Sequence, residues 1–291
     1  MQSQRSINRR DLLRNVAISA AGLGAFAATG GLIAPRVFAA DAAGDPYKGL
    51  KVGMASYTLQ QYKTLDEAIA VMKELDLKYI SLKDFHLKLT ATKEECQEAA
   101  KKLKDAGITL MSAGVISLKD DEAASRKAFE YARNAGIPCI NVSFPPAALA
   151  LVEKLGKEYK IRCAIHNHGP GDKNWPSPTE NYKKIKDCDP IMGLCVDIGH
   201  AVRWKEKELE VMSAVKDRIY DFHIKDVSGR DEKGSTVVMG KGVIDLKGVV
   251  KALLDMKYQG CVGLEYEKKG PKLMDELKEN FAYLRKIMAE L

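Results

Sequence analysis

Between residues 51 and 267 a short apolar run recurs eight times, and every recurrence but the last is followed by a longer stretch of helical or loop character. The runs are KVGMASY from 51, YISLKD from 79, ITLMSAGVI from 108, CINVSF from 139, IRCAIHNH from 161, GLCVDIG from 193, YDFHIKD from 220 and CVGLEYE from 261. Each has the length and the β-branched or aromatic content of a strand. The segments between them include TLDEAIAVMKELD, TKEECQEAAKKLKDAG and DEAASRKAFEYARNAG, with Thr or Asp near the start and Gly107 and Gly136 placed to stop a helix. Strand starts advance by 22 to 41 residues, the length of a strand–helix unit. Eight such units over residues 51–291 predict a single-domain α/β fold, the (β/α)8 TIM barrel, because a doubly wound sheet needs fewer units or a longer chain. No glycine-rich dinucleotide turn follows the first strand, and GKG at 240–242 reads as a pair of loop glycines.

The first forty residues stand apart from this pattern. SINRRDLLRN gives way to VAISAAGLGAFAATGGLIA and then to APRVFAADAAG. Arg9-Arg10 followed by Asp11, Leu12 and Leu13 resembles a twin-arginine export signal, and the small residues before Asp41 suit cleavage. A membrane anchor is the alternative, but Gly, Ala, Ser and Thr keep the segment only mildly apolar. The expectation is a removed leader at 1–40, a short linker at 41–50 and an exported, periplasmic protein with no stable membrane anchor. Arg5, Arg9, Arg10, Arg14, Arg36 and Asp11 leave with the leader, so the formal charge falls from +7 to +3. Lys and Glu are then scattered over helix faces without like-charge blocks, which argues against a nucleic-acid or anionic-membrane surface. The six cysteines form no CxxC pair, and four of them lie inside strand runs, where they read as small core hydrophobes.

All five histidines fall at, or a few residues beyond, the carboxyl end of a predicted strand: His86, His166, His168, His200 and His223. In a (β/α)8 barrel those strand ends share one rim and carry the chemistry. Strand parity turns some of them inward. Tyr220, Phe222 and Ile224 form an apolar face, leaving Asp221, His223 and Lys225 on the other; the same alternation places Asp197 and Glu265 inside. His166 and His168 share parity with Arg162 and Ala164, where no large apolar face fixes the direction. Buried carboxylates and imidazoles that converge need a compensating cation. A divalent ion answers this, and mixed oxygen and nitrogen donors suit manganese, zinc, magnesium or iron. The alternative is a metal-free network of Asp–His and Lys–Glu pairs, with Asp197 merely ending a strand and capping a helix.

From about residue 48 to the end, the sequence resembles the xylose-isomerase-like barrels of the sugar isomerase and epimerase superfamily. The resemblance is carried by AIHNHG, VDIGH, DFHIKD and GKGVIDLKGVVKALLDMKYQGCVGLEYE. It implies a metal held by Asp197, His223 and Glu265, with His200 as a partner of substrate or ligand. The family's fourth ligand is a Glu on the fifth strand, where this chain has His166 in HNH. One of the two acid/base glutamates that family epimerases use is therefore absent, and His166 stands in as ligand or proton carrier. Inosose dehydratases of the same superfamily are similar in carrying histidines on this strand, and they catalyse elimination.

The leading expectation is a metal-dependent sugar isomerase or epimerase that abstracts a proton beside a carbonyl through an enediolate. Glu265 is the candidate base, Lys225 the candidate oxyanion partner, and Glu267 a residue that orients a ligand. Lys83, His86, His168, His200, Trp175 and Trp204 are candidates to contact the sugar, against salt bridges, loop hydrogen bonds and ordinary packing as alternatives. Elimination from a keto sugar such as a 3-keto glycoside shares the first step and is the runner-up. An apurinic-endonuclease-like hydrolase and a non-catalytic sugar-binding barrel stand further back. The expected partner is a small sugar, with no nucleic acid, and a homo-oligomer is compatible with the fold.

Overall fold

A computed structural model describes residues 44–291, and the expected leader at 1–40 lies outside them. The elements in chain order are β1 (Lys51–Ala55), α1 (Leu65–Glu74), β2 (Tyr79–Leu82), α2 (Lys93–Asp105), β3 (Thr109–Ser117), α3 (Glu122–Asn134), β4 (Cys139–Ser143), α4 (Leu149–Tyr159), β5 (Arg162–His166), α5 (Pro178–Ile185), β6 (Met192–Asp197), α6 (Ile198–Arg203), α7 (Glu208–Val215), β7 (Ile219–Ile224), β8 (Asp226–Val227), β9 (Thr236–Val237), α8 (Leu246–Asp255), β10 (Cys261–Leu264) and α9 (Leu273–Ala289). Strands β1 to β7 and β10 close a parallel barrel, with β1 paired to both β2 and β10. All eight expected strands are present, and the fold is a single TIM barrel.

Local sequence sets the helix ends. Thr64 and Thr92 each accept from the backbone of a glutamate three residues on, and Glu67 and Glu95 reach back to the cap residue, closing two capping boxes. Gly107 and Gly136 stop α2 and α3 with φ of +75° and +68°, a conformation that side chains with a Cβ disfavour. Outward-facing Ile80, Val142, Ile165, Val196, Phe222 and Leu264 are fully buried in one cluster with helix residues such as Leu103, Phe129, Leu155 and Phe281. Each such side chain contributes about 1.5–3 kcal/mol of transfer free energy, which holds the helix ring to the barrel.

The barrel interior is polar. Asp221 accepts hydrogen bonds from Ser112 at 2.5 Å and Asn141 at 2.6 Å, and Asn141 also donates to Ser81. The small Ala164, Cys139 and Cys195 fill space beside this network. All six cysteines are free thiols. Within residues 44–50, Tyr47 and Leu50 are buried in the core, and the Tyr47 hydroxyl accepts from Arg285. Among the described residues no helix is long and apolar enough to cross a membrane.

Two departures from the expected strand–helix beat surround the rim. The run GLCVDIG is not all strand, because α6 begins directly after Asp197. After β7 the chain leaves the barrel and pairs β8 antiparallel with β9. Asp226 organises the return: its carboxylate accepts from the amides of Val227, Gly240, Gly242 and Ile244. That explains GKG at 240–242, since a Cβ at Gly242 would lie 2.1 Å from Asp226 Oδ1.

Candidate active site

Asp197 both ends a strand and faces a cluster of donors. Its Oδ1 accepts from the His200 amide at 2.8 Å, capping α6. Its Oδ2 is buried without a hydrogen-bond partner and turns to the imidazoles of His166, at 3.6 Å, and His223, at 3.8 Å. Lys225 Nζ lies 2.9 Å from the same oxygen, close enough to form an ion pair but off hydrogen-bond alignment. Pairing of β6 with β7 sets Asp197 beside His223, and β5 brings His166 to within 3.1 Å of it, Nε2 to Nδ1. The direction of the fifth strand, open in the sequence, is thereby settled: His166 points inward.

Four donor atoms from His166, Asp197, His223 and Glu265 therefore lie within 4.8 Å of one another, all buried. Their neighbouring separations of 3.1–3.8 Å suit bonds of about 2.0–2.2 Å to one shared cation. The convergence of four buried oxygen and nitrogen donors on one point is the sign of fit, since mixed donors of this kind suit a divalent ion. Burial lowers the His166 imidazole to about 4, leaving it neutral as a ligand must be. Burial also pulls on His223, but the Glu265 carboxylate, with Asp221 and Asp197, outweighs it and lifts that ring to about 9. Burial would raise Glu265, yet the Lys225 and His223 charges hold it at about 2. Asp197 stays well below the usual carboxylate range although buried, held there by His200 and Lys225. Lys225 remains charged against burial because Asp197, Glu265 and Glu267 surround it, the two glutamates at 2.8 Å each.

Above the cluster is a cavity of about 320 Å³ lined by His166, His168, His200, Glu265, Glu267 and Lys83, with Tyr57, Ser117 and Ser143 completing the wall. Two of its imidazoles are fixed by their partners in opposite tautomers. His168 Nδ1 lies 2.9 Å from Asp172 Oδ2. Burial would raise Asp172, but the amides of Trp175 and Asn174 and the His168 ring lower it, so it is ionised and can only accept. The carboxylate therefore takes a hydrogen from His168 Nδ1, which directs Nε2 into the cavity as the site where the ring can accept. His200 Nδ1 takes a hydrogen bond from Arg203 at 3.2 Å. A guanidinium cannot accept, so His200 carries its hydrogen on Nε2, 3.5 Å from Glu267 Oε1. The two rings lie 6.4 Å apart, centroid to centroid.

Three sequence candidates do not reach this cavity. His86 is a buried clamp, bonded through Nδ1 to Ser56 and through Nε2 to the Tyr62 carbonyl, with no nitrogen left for a sugar. Trp175 is 0% exposed; its Nε1 donates to the Phe144 carbonyl and its ring packs edge-on against Phe144. Trp204 is 40% exposed and faces a separate surface hollow with Pro170 and Lys205. Lys83 does line the cavity, with Nζ held by the Val115 carbonyl and Asp84. Sequence reasoning passed over Tyr57, Ser117 and Ser143, although the last two are the final residues of β3 and β4, where a barrel places its chemistry. It also passed over Asp172 and Arg203, whose roles lie in which ring nitrogen they touch.

A family model described as a xylose isomerase-like TIM barrel matches residues 69–287. Inosose dehydratase of Salmonella agona is 29% identical over 159 residues, covering 44% of this chain and 51% of that protein. The chain thus spans about half the length of the curated relatives it matches. Among solved structures, an uncharacterised protein from Parabacteroides distasonis has a TM-score of 0.64 at 26% identity, covering 82% of this chain and 99% of that one. D-psicose 3-epimerase, solved in the presence of D-fructose, has a TM-score of 0.67 at 16% identity over 82% of this chain and 99% of its own, a likeness of fold alone. With the family match extending from α1 into α9, the chain belongs to the xylose isomerase-like TIM barrel family.

Proposed function

We propose that the protein is a metal-assisted lyase that removes a proton beside the carbonyl of a keto sugar or cyclic keto polyol and expels the oxygen substituent one carbon further on. The observation that carries this reading is the pair of imidazoles, His168 and His200, lining one cavity in opposite tautomers above a buried donor cluster. His166, Asp197, His223 and Glu265 would hold a divalent ion such as manganese, zinc or magnesium. Bound there, the ion would act as a Lewis acid toward the substrate carbonyl.

The residues of the chain divide the rest of the work. His168 Nε2 takes the carbon-bound proton, and Asp172 steadies the resulting imidazolium. The C–H electron pair moves toward the carbonyl oxygen and then returns to form a carbon–carbon double bond as the β carbon–oxygen bond breaks. His200 Nε2–H hydrogen-bonds the departing oxygen, which takes up the proton that His168 removed from carbon, yielding an unsaturated ketone and water or an alcohol. Glu265, the sequence-based candidate for the base, has Oε2 engaged by Lys225 and His223. Lys225 is 1% exposed and bound to three carboxylates, which suits charge balance better than contact with an oxyanion. The likeness to inosose dehydratase, over about half of each chain, supports elimination.

Isomerisation or epimerisation is the second reading, favoured by Glu265 lining the same cavity as His168, where it can return a proton to carbon. Incubation of the metal-loaded protein with an inosose or a 3-keto glucoside in heavy water separates the two. Enone absorbance with release of water or aglycone is expected; deuterium at carbon with an intact β bond would transfer the assignment to an isomerase. Neither signal would leave a sugar-binding barrel without catalysis.

A further inference from the structure

A second cavity of about 270 Å³ adjoins the first and shares His200 and Glu267 with it. Arg203 and Lys268 line it, together with Ser235 and Thr236 of the β8–β9 hairpin. The charges of the two spaces differ. The first presents Glu265 and Glu267 around the imidazoles, with its one lysine, Lys83, paired to Asp84. In the second, Glu267 meets Lys225, which it shares with Asp197 and Glu265, and is further bonded by Thr236. Arg203 and Lys268 add two positive charges to its wall. Among the described residues neither has a carboxylate partner: Arg203 bonds the His200 ring and the Glu232 carbonyl, and Lys268 lies 5.7 Å from the Tyr266 ring. Arg203 Nε is moreover buried with no hydrogen-bond partner, a donor left open in a structure that satisfies most of its others.

We infer that this second cavity is a subsite for an anionic group, a carboxylate or a phosphate, carried by the part of the substrate that leaves. The inference rests on the elimination reading, because His200 is the shared wall. The hydrogen-bond donor for the departing oxygen, His200, stands between the sugar-sized cavity and the cationic one, so the bond that breaks lies at the junction. The ring then occupies the first cavity and the acidic leaving part the second. The Arg203 guanidinium and the exposed Lys268 ammonium are suited to such a group, and they draw it in from solution.

Three matched probes test this by isothermal titration of the purified full chain at low salt: phenyl glucoside, its para-carboxylate and its para-phosphate. Binding of at least one charged probe about 10-fold tighter than the neutral one is expected, weakening as salt is raised. The charged probe that gains identifies the group, carboxylate or phosphate. Lys268→Glu, at an exposed position that leaves the core untouched, should abolish the preference; Arg203→Lys, which keeps the charge but loses the planar fork, should reduce it. Equal affinity for all three probes, or a preference that survives Lys268→Glu, overturns the subsite. Enone formation from a neutral keto sugar by the same wild-type protein keeps the two claims apart. Enone without anion preference removes the subsite alone, and anion preference without enone removes the elimination alone.

Discussion

Lys225 Nζ lies 2.9 Å from Asp197 Oδ2, the very oxygen that has no hydrogen-bond partner, and it holds Glu265 and Glu267 at 2.8 Å on its other sides. The ammonium is therefore a resident cation beside the space where a divalent one fits. Replacing Lys225 by Met should leave three clustered carboxylates uncompensated and destabilise the metal-free protein by about 3–5 kcal/mol. Added manganese or zinc should then raise the melting temperature more in the variant than in the wild type. Thermal scans with and without metal check this, and equal stability of the two metal-free proteins would refute it.

Asp197 separates two roles in one side chain. Asp197→Asn keeps an oxygen to cap α6 but removes the charge, so metal content should fall while the helix survives. Asp197→Ala removes both and should cost about 0.5–2 kcal/mol more in folding stability than Asn. Metal analysis beside chemical denaturation of the two variants distinguishes capping from ligation.

The tautomer argument predicts a graded loss at His168. His168→Ala should reduce elimination by roughly 10²–10⁴-fold with little change in metal content. Asp172→Asn should reduce it less, because a lone pair remains but its orientation is no longer enforced. Single-turnover rates of enone formation measure both, and an unaffected His168→Ala would return the role of base to Glu265.

Glu208 provides a stability test away from the chemistry. Both its oxygens take Arg230 nitrogens at 2.8 Å, and one also accepts from the Asp245 amide. Burial would raise this carboxyl, but those bonds lower it from 4.5 to about 2. A depressed carboxyl contributes stability above its unfolded value, and that contribution is lost as pH falls from about 4.5 through about 2. Glu208→Gln should cost roughly 1–2 kcal/mol at neutral pH and flatten the acid limb of the stability curve in that window, as followed by urea titrations.

The amino-terminal segment makes a prediction of its own. Fused to a reporter, residues 1–40 should direct export, and changing Arg9 and Arg10 to lysine should stop it. Retention of both reporters in the cytoplasm would leave that segment without an address.

Much of the barrel was legible because two periodicities write it plainly. Strand parity turns His223 and Asp221 inward, and a Thr near the start of each helical stretch marks where α1 and α2 begin. His166 could be read as a rim residue but not as an inward one, since Arg162 and Ala164 leave the face of that strand unmarked; the 3.1 Å approach to His223 decides it. His86 and Trp175 were misleading for one physical reason: position near a rim does not reveal whether a polar atom is already satisfied by a neighbouring carbonyl. The β8–β9 hairpin and the anchoring role of Asp226 left no apolar rhythm, because both depend on backbone amides converging from residues 227 to 244.

The hairpin segment is fastened to the rest at a few points, chiefly the carboxylates of Asp226 and Glu208, while its tip helps to wall only the outer of two cavities. The donor cluster belongs to the strands; the outer cavity borrows part of its lining from an appendage. A lineage built on this plan can reshape one wall of that cavity by editing a single excursion of the chain, and leave the donor cluster undisturbed beneath it.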